Sequence, residues 1–451
     1  MERTFSVEEI RKKVRALMPE VLEDLKQLIS YPSVAFPGYP PGPVLDMADA
    51  TVGVIKEYGL QDVHLLDIPG GYPAVYGEIP APPGAPTVLM YAHYDVQPAR
   101  KEDGWETDPW TPVLKNGRLY GRGAADDKSG IMITAASLRV FEGRPPVGVK
   151  VIIEGSEETP GHLEEFVPHH PDLFFCDVIM VADNGNLSVG EPALTTTLRG
   201  EVSCIIEVQT LDHAVHSGSF GGAAPDALVS LIRILSTLHD ARGNVAVQGL
   251  RSYPQKEVEY PEELYRRDAG LLEGVDLIGT GSLSARLWSK PSVTVIGIDA
   301  PSVGGASNIL IPRAAAKISM RISPDADADH ELQILMDHLQ AVAPWNVPVK
   351  VTKVSVNSGF VCPIDGPGYG AARTSLENAF VRPVVEIGAG GSIPLLHVLR
   401  ETVPKAEFIL WGAQDASSSR IHGTDESVDI GELERFIVAQ SLLLKFLGEG
   451  R

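Results

Sequence analysis

The chain has 451 residues, 44% hydrophobic and 22% charged, and its 38 Lys and Arg face 59 Asp and Glu for a formal net charge of -21. Such a composition can bury a large core and excludes global disorder. So acidic a surface repels nucleic acid and anionic membrane, and no apolar run approaches the roughly 18 residues of a spanning helix.

At roughly 150 residues per domain, the length suggests two domains with one interrupted by the other. Three widely spaced cysteines, Cys176, Cys204 and Cys362, make neither a disulfide framework nor a zinc ribbon. The N-terminus lacks a basic-then-apolar leader. The expected setting is a reducing cytoplasm, with the thiols buried and inert.

In chain order, the first predicted element is an amphipathic helix over Val7 to Ser30, with Ile10, Val14, Leu17, Val21, Leu25 and Leu28 at helical spacing. The Pro/Gly-rich stretches Phe36 to Val44 and Ile79 to Pro86 are expected to be loops. Short apolar runs follow, each ending in polar residues. Thr87 to Tyr91 leads into His93 and Asp95, and Val149 to Ile153 leads into Glu154, Glu157 and Glu158. Asp177 to Ala182 leads into Asp183, and Glu407 to Trp411 into the loop holding His422. A helical pattern spans Lys128 to Phe141. Continuous apolar strands alternating with helices indicate an α/β fold whose mostly parallel sheet is covered on both faces, a three-layer arrangement. Ligands in such folds sit beyond the carboxyl ends of the strands.

The middle of the chain has another rhythm. Strands are expected at Glu201 to Thr210, Ser292 to Ile298, Ala315 to Ile322 and Val347 to Val356, and helices at Pro225 to His239 and Ala328 to Val342. This β-α-β-β-α-β order is a ferredoxin-like α+β plan, inserted into the first domain. Residues 241–290 fit no pattern and read as an irregular excursion.

Six residues at or near the predicted strand ends carry metal or acid-base chemistry: His93, Asp126, Glu157, Glu158, Asp183 and His422. Two histidines, two terminal carboxylates and one bridging carboxylate suffice for a two-ion site. Two divalent ions against three carboxylates leave one positive charge for a hydroxide, and a fourth carboxylate remains to act as base. Singly, each residue also has an ordinary structural reading as a strand-end polar group, loop carboxylate or turn former. Gly121-Arg-Gly123 suggests a phosphate loop but lacks the lysine-serine and dinucleotide patterns.

The segments Tyr91-Ala-His-Tyr-Asp-Val-Gln-Pro98, Leu119-Tyr-Gly-Arg-Gly-Ala-Ala-Asp-Asp-Lys128, Glu154-Gly-Ser-Glu-Glu158 and Gly390-Gly-Ser-Ile-Pro394 resemble the M20 metallopeptidase family, in its cytosolic dipeptidase (carnosinase-like) branch. The likeness runs in order over nearly the whole chain. It implies a catalytic domain over residues 1–195 and 363–451, and an inserted lid and dimerisation domain over 196–362. It also implies two divalent ions, zinc first with manganese or cobalt as alternatives. One ion would bind His93, Asp126 and Asp183, the other Asp126, Glu158 and His422.

The resemblance further makes Glu157 the general base and Asp95 the brace of His93. It implies a cis peptide at Asp126–Asp127. His216, in His216-Ser-Gly218, would reach a neighbouring subunit's site and stabilise an oxyanion. Arg321 and Ser392 would hold the substrate carboxylate, with Asn308 a further lid contact; a helix N-cap is another reading of Ser392. Two departures stand out: Ser129 where glycine is usual, and Asp425 where asparagine is common. The implied activity is hydrolysis of dipeptides or short peptides with a free carboxylate. N-acyl-amino-acid deacylase and carboxypeptidase activity are the alternatives on the same metal core. A non-catalytic binding protein is the alternative of a different class.

Overall fold

A computed structural model describes residues 5–159, 162–254, 256 and 258–450. The opening helix forms as its periodicity predicts: α1 (Val7–Ile29) buries Ile10, Val14, Val21, Leu25 and Leu28. Its first turn is closed by a capping box, in which Ser6 Oγ accepts from Glu9 N–H and Glu9 returns a carboxylate to Ser6 N–H. The expected loop at Phe36 to Val44 runs too far. Helix α2 (Gly42–Glu57) begins inside it, because Pro43 lies in the first turn, where its missing N–H costs nothing.

The chain then lays down β1 (Val63–Leu66), β2 (Ala74–Ile79), β3 (Thr87–His93), α3 (Lys128–Val140), β4 (Gly148–Glu154), β5 (Val178–Val181) and β6 (Ala193–Leu198). Next come β7 (Gly200–Gln209), α4 (Ala227–Leu235), β8 (Ser292–Asp299), β9 (Arg313–Ile322), α5 (Ala328–Ala341) and β10 (Val349–Asn357). It finishes with β11 (Phe360–Val361), α6 (Pro367–Phe380), β12 (Val385–Ala389), α7 (Leu395–Thr402), β13 (Glu407–Leu410) and α8 (Ile430–Glu449).

The central sheet has the order β1-β2-β4-β3-β5-β13-β6-β11, with β12 also on β6. Its heart, β4-β3-β5-β13, is parallel, so these strands end at one edge. Alternate side chains feed two cores. Val88, Met90, Val149, Val151 and Met180 pack with α1, α3, α6 and α8 on one face. Leu89, Tyr91, Ile152, Ile179 and Leu410 pack with α7 on the other. This is the predicted three-layer α/β architecture.

The second sheet has the antiparallel order β8-β9-β7-β10, and α4 and α5 cover one face around Val202, Cys204, Ile318, Leu231 and Leu335. The expected cuts at 195/196 and 362/363 fall within the central sheet. Strand β6 stays buried through Leu198, β11 pairs with it, and Cys362 N–H donates to Thr196 O. Only Arg199 separates β6 from β7. The 241–290 excursion holds two short helices, Glu262–Asp268 and Leu283–Trp288. The three thiols are free, and Cys176 is half-buried rather than buried. Burial lifts Cys176 and Cys362 to about 12, which makes them poor nucleophiles. No helix among the described residues is long and apolar enough to cross a membrane.

Candidate metal centre

The parallel strands deliver their side chains to one edge of the central sheet. His93 is the last residue of β3; Glu157 and Glu158 follow β4; Asp183 follows β5; His422 lies in the loop after β13. Asp126 comes from the turn before α3, where the Asp126–Asp127 peptide is cis. Asp126 joins the two halves: Oδ1 is 3.0 Å from His93 Nε2 and Oδ2 is 3.1 Å from His422 Nε2. Asp183 Oδ2 is 4.0 Å from His93 Nε2, and Glu158 Oε2 is 3.3 Å from His422 Nε2. Donor atoms of His93, Asp126 and Asp183 all lie within 4.8 Å of one another, as do those of Asp126, Glu158 and His422. The structure thus brings together the two groups of residues that the resemblance assigns to the two ions.

The electrostatics are those of a site built for cations. Burial raises Asp183 well above the usual carboxylate range, and the Asp126 charge adds to it. Burial also pushes Glu157 up to about 8, with His93 opposing and Glu158 and Asp126 reinforcing. Burial would pull His93 down, but hydrogen bonds to Asp126 and Asp95 raise it well above its ordinary value. Bonds to Asp126 and Glu158 lift His422 to about 10. Several carboxylates thus crowd around two imidazoles, and divalent ions would offset their charge. Glu158 Oε1 is buried with no partner among the described residues. Nitrogen and oxygen donors, a shared carboxylate and an orphaned oxygen fit two divalent cations.

A surrounding layer fixes these donors. Asp95 braces the site in a way the sequence did not predict. Its backbone carbonyl, 3.0 Å from His93 Nδ1, makes the shorter contact, and its Oδ1 is 3.5 Å away. Its carboxylate accepts from Glu157 N–H (3.0 Å) and Glu158 N–H (3.1 Å), pinning the loop that carries both acids. Asp127 Oδ2 accepts from His93 N–H, Gln97 donates to Glu158 Oε2 and Gln414 donates to Asp183 Oδ1. Glu426 accepts from the N–H groups of Gly123, Ala125 and Asp126 and pairs with Arg122 at 2.6 Å. Those N–H groups are therefore not offered to a phosphate, which removes the phosphate-loop reading. Both departures are accommodated: Ser129 Oγ donates to Ala125 O, and Asp425 accepts from Glu106 N–H.

Residues assigned from the lid behave differently. A cleft of about 590 Å³ is lined by Asp126, Glu157, Glu158, Asp183 and His422. Ser392 and Arg199 also line it, as do Tyr260, Tyr265 and Trp288 from the excursion. Ser392 is not the helix cap, since Pro394 holds the N-cap position of α7. His216 and Asn308 lie beside each other, where Ser217 N–H donates to Asn308 O, but both are exposed and neither lines this cleft. His216 Nδ1 accepts from Gly218 N–H. Arg321 is on β9 opposite Glu201 and Ser292, also outside the lining. Sequence reasoning missed Asp127, Gln97, Gln414, Glu426 and Arg199. Of these, Gln97 and Asp127 lay within recognised motifs; Arg199 and Gln414 carried no spacing signal.

Known proteins resemble this chain over most of its length. The model of Peptidase family M20/M25/M40 matches residues 89–446. A cysteinylglycine-S-conjugate dipeptidase of Corynebacterium striatum is 39% identical over 373 residues, 81% of this chain and 82% of the relative. A Beta-Ala-His dipeptidase of Rattus norvegicus is 32% identical over 377 residues, 79% and 76% of the two chains. The crystal structure of human carnosine dipeptidase 1 superposes with a TM-score of 0.82 at 26% identity, covering 98% of each chain.

Proposed function

The chain belongs to peptidase family M20/M25/M40, and on that premise we propose that it is a dinuclear metal-dependent dipeptidase acting on substrates with a free C-terminal carboxylate. The observation that carries this reading is Asp126 shared between two donor sets, with Glu157 on the same cleft. His93, Asp126 and Asp183 would hold one ion, and Asp126, Glu158 and His422 the other. Zinc suits these donors first, while manganese and cobalt suit them too. When bound, the ions supply a solvent molecule of lowered pKa and polarise the scissile carbonyl.

The chain's own residues do the rest. The Glu157 carboxylate takes a proton from the attacking water and returns it to the departing amine nitrogen. Asp95 holds Glu157 in reach through the backbone N–H it accepts. Ser392, in its glycine-rich loop, lines the same cleft and would help hold the substrate carboxylate. The aromatic groups Tyr260 and Trp288, stacked at 6.2 Å between centroids, offer an apolar wall to a substrate side chain.

His216, Asn308 and Arg321 would complete the site in a homodimer, with His216 meeting the oxyanion in the partner's cleft. Two features of the second sheet support a pairing surface. Strand β8 is an edge with Ile296 and Ile298 exposed, and α4 exposes Val229 and Ile232. Three free thiols fit a reducing cytoplasm.

The test is a chelated sample restored separately with zinc, manganese and cobalt, assayed on dipeptides, tripeptides and N-acyl amino acids. Metal-dependent cleavage confined to dipeptides is the expected result. Preference for N-acyl amino acids or longer peptides would move the assignment to a deacylase or a carboxypeptidase. No cleavage with any metal would leave a binding protein.

A further inference from the structure

His422 differs from the other four proposed donors. Its side chain is 54% accessible, whereas those of His93, Asp126, Glu158 and Asp183 are 12% accessible or less. It belongs to the loop between the two-residue strand Gln414–Asp415 and the short strand Ser427–Asp429, not to the end of a buried strand. Arg420, His422 and Asp425 in this loop all take left-handed backbone angles, with φ of 51°, 62° and 56°. Residues with a Cβ hold that region only where their surroundings enforce it.

At the neck of the loop the enforcing group is Arg118. It lies on the short strand Arg118–Tyr120, which pairs antiparallel with Ser427–Asp429, and it is buried. Its Nη2 donates to Asp415 Oδ2 (2.8 Å), where the loop begins, and to Ser427 O (2.9 Å), where it ends. Its Nε donates to Ser427 Oγ (2.9 Å). The Asp415 carboxylate also accepts from Ser417 Oγ (2.7 Å) and Ser419 Oγ (3.0 Å), which shapes the first turn of the loop. One planar guanidinium thus joins both ends, a task that needs its fixed fork of donors. The donors of the other ion are held by different groups. Asp183 accepts from Gln414, whose strand is paired in turn with Gly185–Asn186, and His93 is held by Asp95 and Asp127.

We propose that Arg118 is a positioning residue for one ion of the pair: by locking the neck of the loop it keeps His422 Nε2 beside Asp126 and Glu158, and it sets the affinity of that donor set and not of the other. This rests on the two-ion reading above. Arg118 touches neither donor set. It acts through Asp415 and Ser427, as an outer partner that orients a metal ligand.

The experiment titrates zinc into the chelated full chain by calorimetry, as wild type, R118Q and R118K. Anomalous peak heights from crystals grown at limiting zinc assign each binding step to its donor set. Arg118 lines a cleft of about 490 Å³ beside the loop, so water can take the place of a shortened side chain. In R118Q the affinity at Asp126, Glu158 and His422 should fall about ten- to hundredfold, while that at His93, Asp126 and Asp183 stays within about threefold. R118K, with the charge but not the fork, should fall in between and carries the test if R118Q does not fold. Two affinities that fall together mean that Arg118 supports the fold at large, and the assignment fails. It fails equally if neither affinity moves, or if the ion at His93 and Asp183 is the one weakened; both outcomes leave the two-ion reading intact. Wild type that binds a single zinc, or none, removes the two-ion reading and this assignment with it.

Discussion

His93, at the end of β3, and Asp126, in the turn before α3, are 0% and 6% exposed, whereas His216 and Asn308, on the second unit, are exposed and lie outside the cleft. The central donors are held by a closed set of partners, from Asp95 beneath the Glu157–Glu158 loop to Glu426 beneath Asp126. The lid residues have only local ties, such as the bond between Gly218 N–H and His216. The contrast teaches that the candidate ion donors are brought together within one chain at one edge of the central sheet. On the proposed reading the lid residues would act only when another surface, or a movement, brings them to the substrate.

Mutations can sharpen or break that contrast. The largest effect is expected from E157Q, which removes the proposed base without touching a proposed ion ligand. Turnover should fall about 10²–10⁴-fold with metal content unchanged, read by steady-state kinetics beside elemental analysis. If it loses the ions as well, Glu157 belongs to the ligand set and the division of roles is wrong. Next is E426A, far from substrate but buried beneath the ligand turn. It leaves the Arg122 guanidinium without its partner, so about 3–5 kcal/mol of stability should be lost in a denaturation curve.

H216A tests the other side of the comparison. It should lower kcat by about 10²-fold if the proposed oxyanion contact is made, with metal binding and thermal midpoint unmoved. Light scattering should show a dimer; a monomer with full activity would contradict the shared-site arrangement. The smallest effect belongs to Y260A at the cleft wall. It should reduce kcat/KM for bulky apolar dipeptides by about threefold to thirtyfold relative to glycine-containing ones, the scale of a pocket contact.

The same contrast explains what was legible in the sequence. The candidate ion donors could be found because continuous apolar runs, such as Thr87 to Tyr91, mark buried parallel strands, and polar residues just past them share one edge. His216, Asn308 and Arg321 came from motif resemblance alone, and the fold of one chain does not bring them to the donors. Arg199 and Gln414 were invisible for another reason. A lone polar residue acquires meaning only from the distant segments that approach it, here the Gly390 loop and Asp183. Helix α2 was hidden behind Pro41, Gly42 and Pro43, whose turn-forming character masks a helix start. The 241–290 excursion has no period because it is shaped by docking on the rest of the chain, with Trp288 packed on Ala193 and Ile387.

The central claim is that five side chains gathered at one edge of the central sheet hold two ions through one shared carboxylate. Anomalous diffraction from crystals of the zinc-loaded protein tests it most directly. Two peaks per chain are predicted, one among His93, Asp126 and Asp183 and the other among Asp126, Glu158 and His422. A single peak, or peaks that leave Asp126 outside the coordination of either ion, would contradict the account.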